Sequence, residues 1–331
     1  MENREKLEKL DLKDRKILYY LDLNSRQSFS QIGKKVGMHK DVVAYRVNKF
    51  LEKGLIKFVT IINEHKLGIC YLRFCLTYQY VTPEIKKEII EYFIKNKYTV
   101  AIHTAEGLFD LVVILGVKNT PAFYNIWYQM ISKYRDYFSK RVFSVYCGLV
   151  EYKLTFLLEE KEQKKEDRVL FNRFDDGKTV VIDDLDYKIL YLLNNNARMP
   201  TIEIANTLNT APVTINNRIK KLIKSGVILG FRLGIDYSRI DYHFYEVGAV
   251  LKNSTQIENI IQYIESNAYL VGRIMSLGYV DLQFLLFLKN ADELQAIMND
   301  LCSKFPDTIK DYTYFIHTRT VKFQYLPEVI I

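Results

Sequence analysis

Cysteine is scarce in this chain. Cys70, Cys75, Cys147 and Cys302 form no CxxC pair and no ligand-like cluster, which excludes a disulfide framework and a zinc site of the usual spacing. Buried free thiols in a reducing compartment are expected instead. The five histidines, His39, His65, His103, His243 and His317, are just as scattered, so no structural metal is expected. No apolar run approaches the roughly 18 residues of a membrane span; Leu111 to Val117 and Phe284 to Leu288 have the length of buried strands. Met1 to Lys9 alternates charges without the apolar core of a signal peptide, and a cytoplasmic location is expected. No paired carboxylates, Ser/His/Asp set or glycine-rich phosphate loop stands out, so the sequence shows no enzyme chemistry and calls for no cofactor.

What is present is an apolar fraction of 49% with 26% charged residues, the balance of a globular protein long enough for roughly two domains. The 25 tyrosines and 19 phenylalanines fall mostly at strand spacing, as sheet and interface packing requires. The net charge of +8 is unevenly placed. Residues 10–58 hold 11 Lys/Arg against 5 Asp/Glu, residues 183–230 hold 6 against 4, and residues 231–331 are net acidic. Positive charge gathered on one helical unit is what contact with a phosphate backbone requires.

The stretch from Gly37 to Gly54 organises the rest. After a turn at Gly37-Met38, Val43, Val47 and Phe50/Leu51 fall on one buried helical face, and Gly54 stops the helix before Leu55-Ile56 opens an extended segment. The plan returns 172 residues later in Ile215, Ile219, Leu222/Ile223, Gly226 and Val227-Ile228, with Arg46 and Arg218 in the same slot. Upstream, Asp186-Tyr187-Lys188-Ile189-Leu190 answers Asp14-Arg15-Lys16-Ile17-Leu18, and Asn194 to Arg198 answers Asp22 to Arg26. Downstream the offset becomes 171: Gly278-Tyr279-Val280-Asp281-Leu282 matches Gly107-Leu108-Phe109-Asp110-Leu111. A repeat this long is a duplication of a whole two-domain unit.

In order, Leu10 to Asp14 starts a helix with buried stripe Ile17, Leu18 and Leu21; Ser28 caps a second helix with inner face Ile32 and Val36; the outward helix follows, and Lys57 to Ile62 makes a wing or connecting strand. Then come a strand over Tyr71–Val81, a helix over Glu84–Asn96, strands over Tyr98–His103 and Phe109–Val117 about a turn at Glu106-Gly107, a helix from Pro121 to about Phe138, and a long strand over Val142–Leu158. The fold class is α+β: winged helix–turn–helix plus a ferredoxin-like βαββαβ sandwich, repeated twice. The expected domains are residues 10–60 and 183–232 (helix–turn–helix) and 61–158 and 233–331 (ferredoxin-like regulatory), joined by a charged linker, 159–182, in which nothing must pack.

Leu12-Lys13-Asp14-Arg15-Lys16-Ile17-Leu18, Val36-Gly37-Met38, Val43 with Arg46-Val47, Gly54-Leu55-Ile56 and the two Gly-x-x-Asp turns together make the chain resemble the Lrp/AsnC (feast/famine) transcription regulators, twice over. The resemblance implies a nucleoid-associated DNA-binding regulator whose RAM-type regulatory domains pair, here within the chain alone or also between chains, with a small effector such as an amino acid held near the turn. The chain departs from the family where His39 and Ala211 stand in place of a serine cap, Thr210 being one residue early, and where Glu106 and Leu277 precede the turn glycines.

The candidate DNA-binding residues are Lys40, Asp41, Ala44, Tyr45, Arg46, Asn48 and Lys49 in the first unit, and Val213, Thr214, Asn216, Asn217, Arg218, Lys220 and Lys221 in the second. Asn48 suits an adenine edge, Lys40 a guanine or a phosphate, and Ala44 a thymine methyl. Arg46 and Arg218, flanked by core positions, either reach a phosphate or fold back onto acids of their own unit. Gly107, Asp110, Gly278 and Asp281 are the candidate effector residues on the resemblance; their structural alternative is a turn whose aspartate bonds neighbouring N–H groups. Two other functions stay open. One is an effector-sensing assembly with weak DNA affinity. The other is a tandem enzyme resembling the sirohaem decarboxylases, which share the architecture and for which His103 is the candidate residue. Their arginine-rich stretch and Trp-Pro-Tyr-Asn segment are missing here; Trp127 falls in a helix.

Overall fold

The computed structural model describes residues 7–163 and 166–328. The Met1–Lys9 leader and the end of the second regulatory domain therefore fall partly outside the described residues.

Each unit begins with three helices: α1 (Leu12–Leu23), α2 (Phe29–Val36) and α3 (Lys40–Glu52) in the first, α6 (Asp184–Asn195), α7 (Thr201–Thr207) and α8 (Pro212–Lys224) in the second. Asp11 and Asp183 cap α1 and α6 through reciprocal boxes with Asp14 and Asp186. Ser28 and Gln31 do the same for α2. Helices α3 and α8 both end in a Schellman motif. The N–H of Leu55 reaches the Phe50 carbonyl and that of Gly54 the Leu51 carbonyl, and Val227 and Gly226 repeat the pattern. Gly54 and Gly226 adopt φ of 65° and 75°, which glycine takes without a Cβ penalty. Ile17, Leu18, Leu21, Ile32, Val43 and Val47 are fully enclosed, and burying each such side chain contributes about 2 kcal/mol.

The first extended segment is not a wing within its own unit. Strand β1 (Ile56–Ile62) pairs antiparallel with β7 (Ile228–Ile235) of the other unit, Val59 lying opposite Arg232. The ribbon crosses the helical domains over. Leu233, Tyr237 and Ile240 complete the apolar core of the first three-helix domain, and Val59, Ile61 and Ile62 complete the second.

The regulatory halves run β2 (Cys70–Tyr78), α4 (Pro83–Lys95), β3 (Thr99–Gly107), β4 (Leu111–Val117), α5 (Thr120–Tyr134) and β5 (Phe138–Tyr152), and then β8 (His243–Leu251), α9 (Ile257–Glu265), β9 (Leu270–Leu277), β10 (Leu282–Leu288), α10 (Ala291–Lys304) and β11 (Ile309–Phe323). The two four-stranded sheets do not stay separate. The order is β2-β4-β3-β11-β8-β10-β9-β5, and a β2–β5 pairing closes the ring. The long strands β5 and β11 make this possible: the first part of each pairs within its own unit and the last part with the other unit's β9 or β3. Side chains alternate across each strand. Phe74, Leu76, Ile102 and Val113 pack under α4 and α5, and Val247, Phe284 and Leu286 under α9 and α10. Their neighbours Arg73, His103 and Glu246 therefore turn into the interior of the ring.

Two expectations are corrected. Within the 159–182 stretch, the segment from Arg168 to Phe174 is docked, not a loose tether. Its strand β6 (Val169–Phe174) adds to the free edge of β5, and buried Arg168 donates to the carbonyls of Glu265, Lys153, Ala268 and Leu270. A charged sequence hid this because its arginines find backbone and carboxylate partners when buried. The cysteines are free, as expected, but only Cys75 is buried; Cys147 is exposed and Cys70 and Cys302 are half-buried.

Candidate nucleic-acid interface

The two outward helices present comparable faces. On α3, Lys40, Asp41, Tyr45, Asn48 and Lys49 are exposed and Ala44 is half-buried; on α8, Val213, Asn216, Asn217, Lys220 and Lys221 are exposed and Thr214 is half-buried. Tyr45 and Val213 are 67% and 66% exposed, so both are free to make contacts outside the chain.

Some candidates have internal work. Nη1 of Arg46 donates to Asp11 and Asp14 at 2.6 and 2.7 Å, and Arg218 pairs with Asp183 and Asp186. Of the two roles left open by the sequence, the structure places both arginines folded back, locking the outward helix to the capped start of α1 or α6. Asp41 belongs to the first-turn cap: His39, the N-cap residue, approaches its carboxylate at 3.2 Å. Ala211 caps α8 without a side-chain bond, and Thr210 does not substitute for it. Asn216 accepts from the Thr201 hydroxyl at 3.1 Å.

Two residues outside the candidate set fix how the helical domains sit. Arg26 donates to the carbonyls of Ala197 and Met199 and lies over the Phe231 ring; Arg198 reciprocates to Ser25 and Gln27 and lies over Phe58. The signal was available, because these arginines answer each other in the repeat. Beside them a cleft of about 490 Å³, lined in part by Asn48, Lys57 and Arg198, separates the two domains.

The turn residues sit on the seam between units. Gly107 and Gly278 adopt φ of 106° and 95° and face the backbone of β11 and β5. The Asp110 carboxylate accepts from the Tyr78 N–H at 2.7 Å, and Asp281 accepts from Leu251 at 2.7 Å, so each closes the end of a strand. Asp281 also lines a cavity of about 250 Å³ with Asn253 and Ser254.

His103 lies inside the ring, its Nδ1 3.1 Å from the Thr320 hydroxyl and its ring centre 4.9 Å from that of His317. Burial, helped by neighbouring His317, pushes its pKa down to about 3 and keeps it neutral. His317 contacts Glu246 at 3.1 Å, and Glu246 pairs with Arg73. Burial works against that carboxylate's charge, yet Arg73 and His317 outweigh it and hold its pKa at about 2. Among the described residues no group of three or more His, Cys, Asp or Glu is placed to hold a metal ion, and no helix is long and apolar enough to cross a membrane.

Residues 10–57 and 182–228 match a family model described as winged helix-turn-helix DNA-binding. The HTH-type transcriptional regulator PYRAB04820 of Pyrococcus abyssi is 32% identical over 123 residues, 37% of this chain and 84% of its own length. The regulatory protein AsnC of Haemophilus influenzae is 33% identical over 109 residues, 33% of this chain and 70% of its own. Each relative thus covers about one unit of the tandem. Among solved structures, the siroheme decarboxylase NirDL overlays 96% of this chain and 94% of its own with a TM-score of 0.61 and 14% identity, a likeness of fold.

Proposed function

The chain belongs to the AsnC/Lrp family of helix–turn–helix transcription regulators, and from that membership we propose that α3 and α8 read two different half-sites of one asymmetric operator. The observation that carries this is the pair of outward faces: one plan, exposed in both units, written in different residues. The reciprocal Arg26 and Arg198 contacts support a fixed spacing, of about one helical turn of DNA or a multiple of it. Selection of bound DNA from a random pool is the test. An asymmetric site is expected, and Lys40→Ala with Asn48→Ala is expected to change the preferred bases of one half only. A symmetric palindrome would overturn the proposal. An assembly that senses an effector and binds DNA weakly is separated by salt: phosphate-led binding falls steeply as salt rises.

The seam turns at Gly107/Asp110 and Gly278/Asp281 are the proposed effector sites, for a small zwitterion such as an amino acid. The cavity beside Asp281 supports the second more than the first. A thermal-shift screen of amino acids against wild type and Asp281→Asn tests it; a shift that survives the substitution places the effector elsewhere.

One observation favours an enzyme reading, the chain-long overlay on a siroheme decarboxylase together with His103 and His317 in the shared interior. Titration with an iron tetrapyrrole decides it. An unperturbed Soret band removes the enzyme reading, and stoichiometric binding lost in His103→Ala would support it.

A further inference from the structure

The interior of the ring is not symmetric in charge, and the asymmetry falls on the axis that relates the two units. Arg73 is the fourth residue of β2 and Glu246 the fourth of β8, so the two occupy one position of the repeat. They form an ion pair across the axis, 1% and 2% exposed. A second set of positions behaves alike. Asp22 and Asn194 are equivalent in α1 and α6; both are buried, and they accept from the N–H of Leu154 and of Tyr325 respectively. Val59 and Arg232 are equivalent and lie opposite each other in the ribbon. Arg232 takes its partners from the first unit: Asp22 at 2.7 Å, Glu151 at 3.4 Å and the Tyr152 carbonyl at 3.2 Å. Glu151 is the fourteenth residue of β5, and the fourteenth of β11 is Lys322.

We propose that these matched charges make each unit's seam complementary to the other unit and to no second copy of itself, so that pairing is selectively between first and second units. Two first units would set Arg73 against Arg73 and leave Asp22 facing Val59. Two second units would set Glu246 against Glu246 and Arg232 against Arg232, with Lys322 where Glu151 stands and Asn194 where Asp22 stands. A buried charge left without its partner is strongly destabilising, whereas the Arg26 and Arg198 contacts, identical in both units, would survive any of these pairings. Selection against like pairing therefore rests on the charged positions. It excludes assemblies that present two copies of one recognition helix, and it holds independently of what DNA the helices read.

Charge reversal in the full chain tests this. In Arg73→Glu every possible pairing puts Glu against Glu, and in Glu246→Arg every pairing puts Arg against Arg. Each single variant is expected to melt about 10 °C below wild type, and the double variant Arg73→Glu/Glu246→Arg to recover most of that loss. Co-expressed with different affinity tags, the two single variants should co-purify, because crossing restores opposite charges, while two tagged wild-type chains should not. If the single variants are insoluble, recovery of soluble double variant is the supporting result. The proposal is overturned by single variants as stable as wild type, by a double variant no better than the singles, or by wild-type chains that co-purify as readily as the mixed variants.

Discussion

At Arg46 the surrounding carboxylates decide between two roles that sequence position alone leaves open. Its neighbours Val43, Val47 and Phe50 are core, and Asp11 and Asp14 lie within 2.7 Å of its guanidinium. A cation already held by two carboxylates gains little from a phosphate. Arg46→Ala is expected to lower stability by about 1 kcal/mol, since the pair is partly solvated, while leaving the salt slope of DNA binding unchanged. Lys49→Ala should instead reduce that slope by about 1. An Arg46→Ala slope reduced as much as that of Lys49→Ala would return the arginine to the interface. His103 makes a different residue-scale case. Its pKa of about 3 lies below the ordinary histidine value of 6.5, so the unfolded chain binds the proton first as pH falls. Stability is full above pH 6.5 and declines towards pH 3, by about 2 kcal/mol at pH 5. The loss that Glu246 adds begins only below its unfolded value of 4.5 and runs to about pH 2. Urea unfolding of His103→Gln at pH 7.5 and pH 5 should show a flatter dependence; an unchanged decline would assign it to other groups.

At the scale of elements, what was legible in the sequence is what local patterning controls. Val43, Val47 and Gly54 mark α3 because helical periodicity and a left-handed C′ glycine act within one turn of each other. The strand β6 was not legible, because Val169 to Phe174 is stabilised by an edge of β5 distant in sequence and by Arg173 pairing with Glu64. The crossed ribbon escaped for the same reason: β1 looks like a wing until β7 is placed beside it. Asp110 shows the site-level limit, since its hydrogen bond to Tyr78 is visible only once β4 is laid against β2. The braces Arg26 and Arg198 join elements that local patterning cannot relate. Their carbonyl partners fix one helical domain against the other, so Arg26→Ala/Arg198→Ala should widen the tolerated separation of half-sites. In binding assays over a series of spacers, wild type is expected to accept one spacing and the variant several. Identical spacing profiles would mean that the β1–β7 ribbon alone sets the geometry.

For the molecule as a whole, duplication followed by divergence has left the two units structurally parallel and chemically distinct. The undersides of the recognition helices correspond, Val43, Val47 and Phe50 to Ile215, Ile219 and Leu222, so the outward face of one can be written onto the other without touching that packing. Asp41, Ala44, Tyr45 and Asn48 occupy the positions of Val213, Asn216, Asn217 and Lys220, while Lys49 already matches Lys221. The variant Asp41→Val/Ala44→Asn/Tyr45→Asn/Asn48→Lys keeps Val43, Val47 and Phe50, and also Arg46 with both its carboxylates. Its fold should therefore survive, apart from the exposed His39–Asp41 contact at the cap. If the outward residues carry base recognition, the half-site selected by the grafted α3 shifts towards that of α8, with Lys40 and Val42 the outward positions left unchanged. Affinity for the original asymmetric site should fall about tenfold or more, because each mismatched base pair costs about 1–3 kcal/mol. The salt slope should rise by about 1, since the graft adds one lysine and removes none. Recovery of the original asymmetric site from the grafted protein would mean that sequence is read elsewhere, and that α3 and α8 only dock the protein onto the backbone.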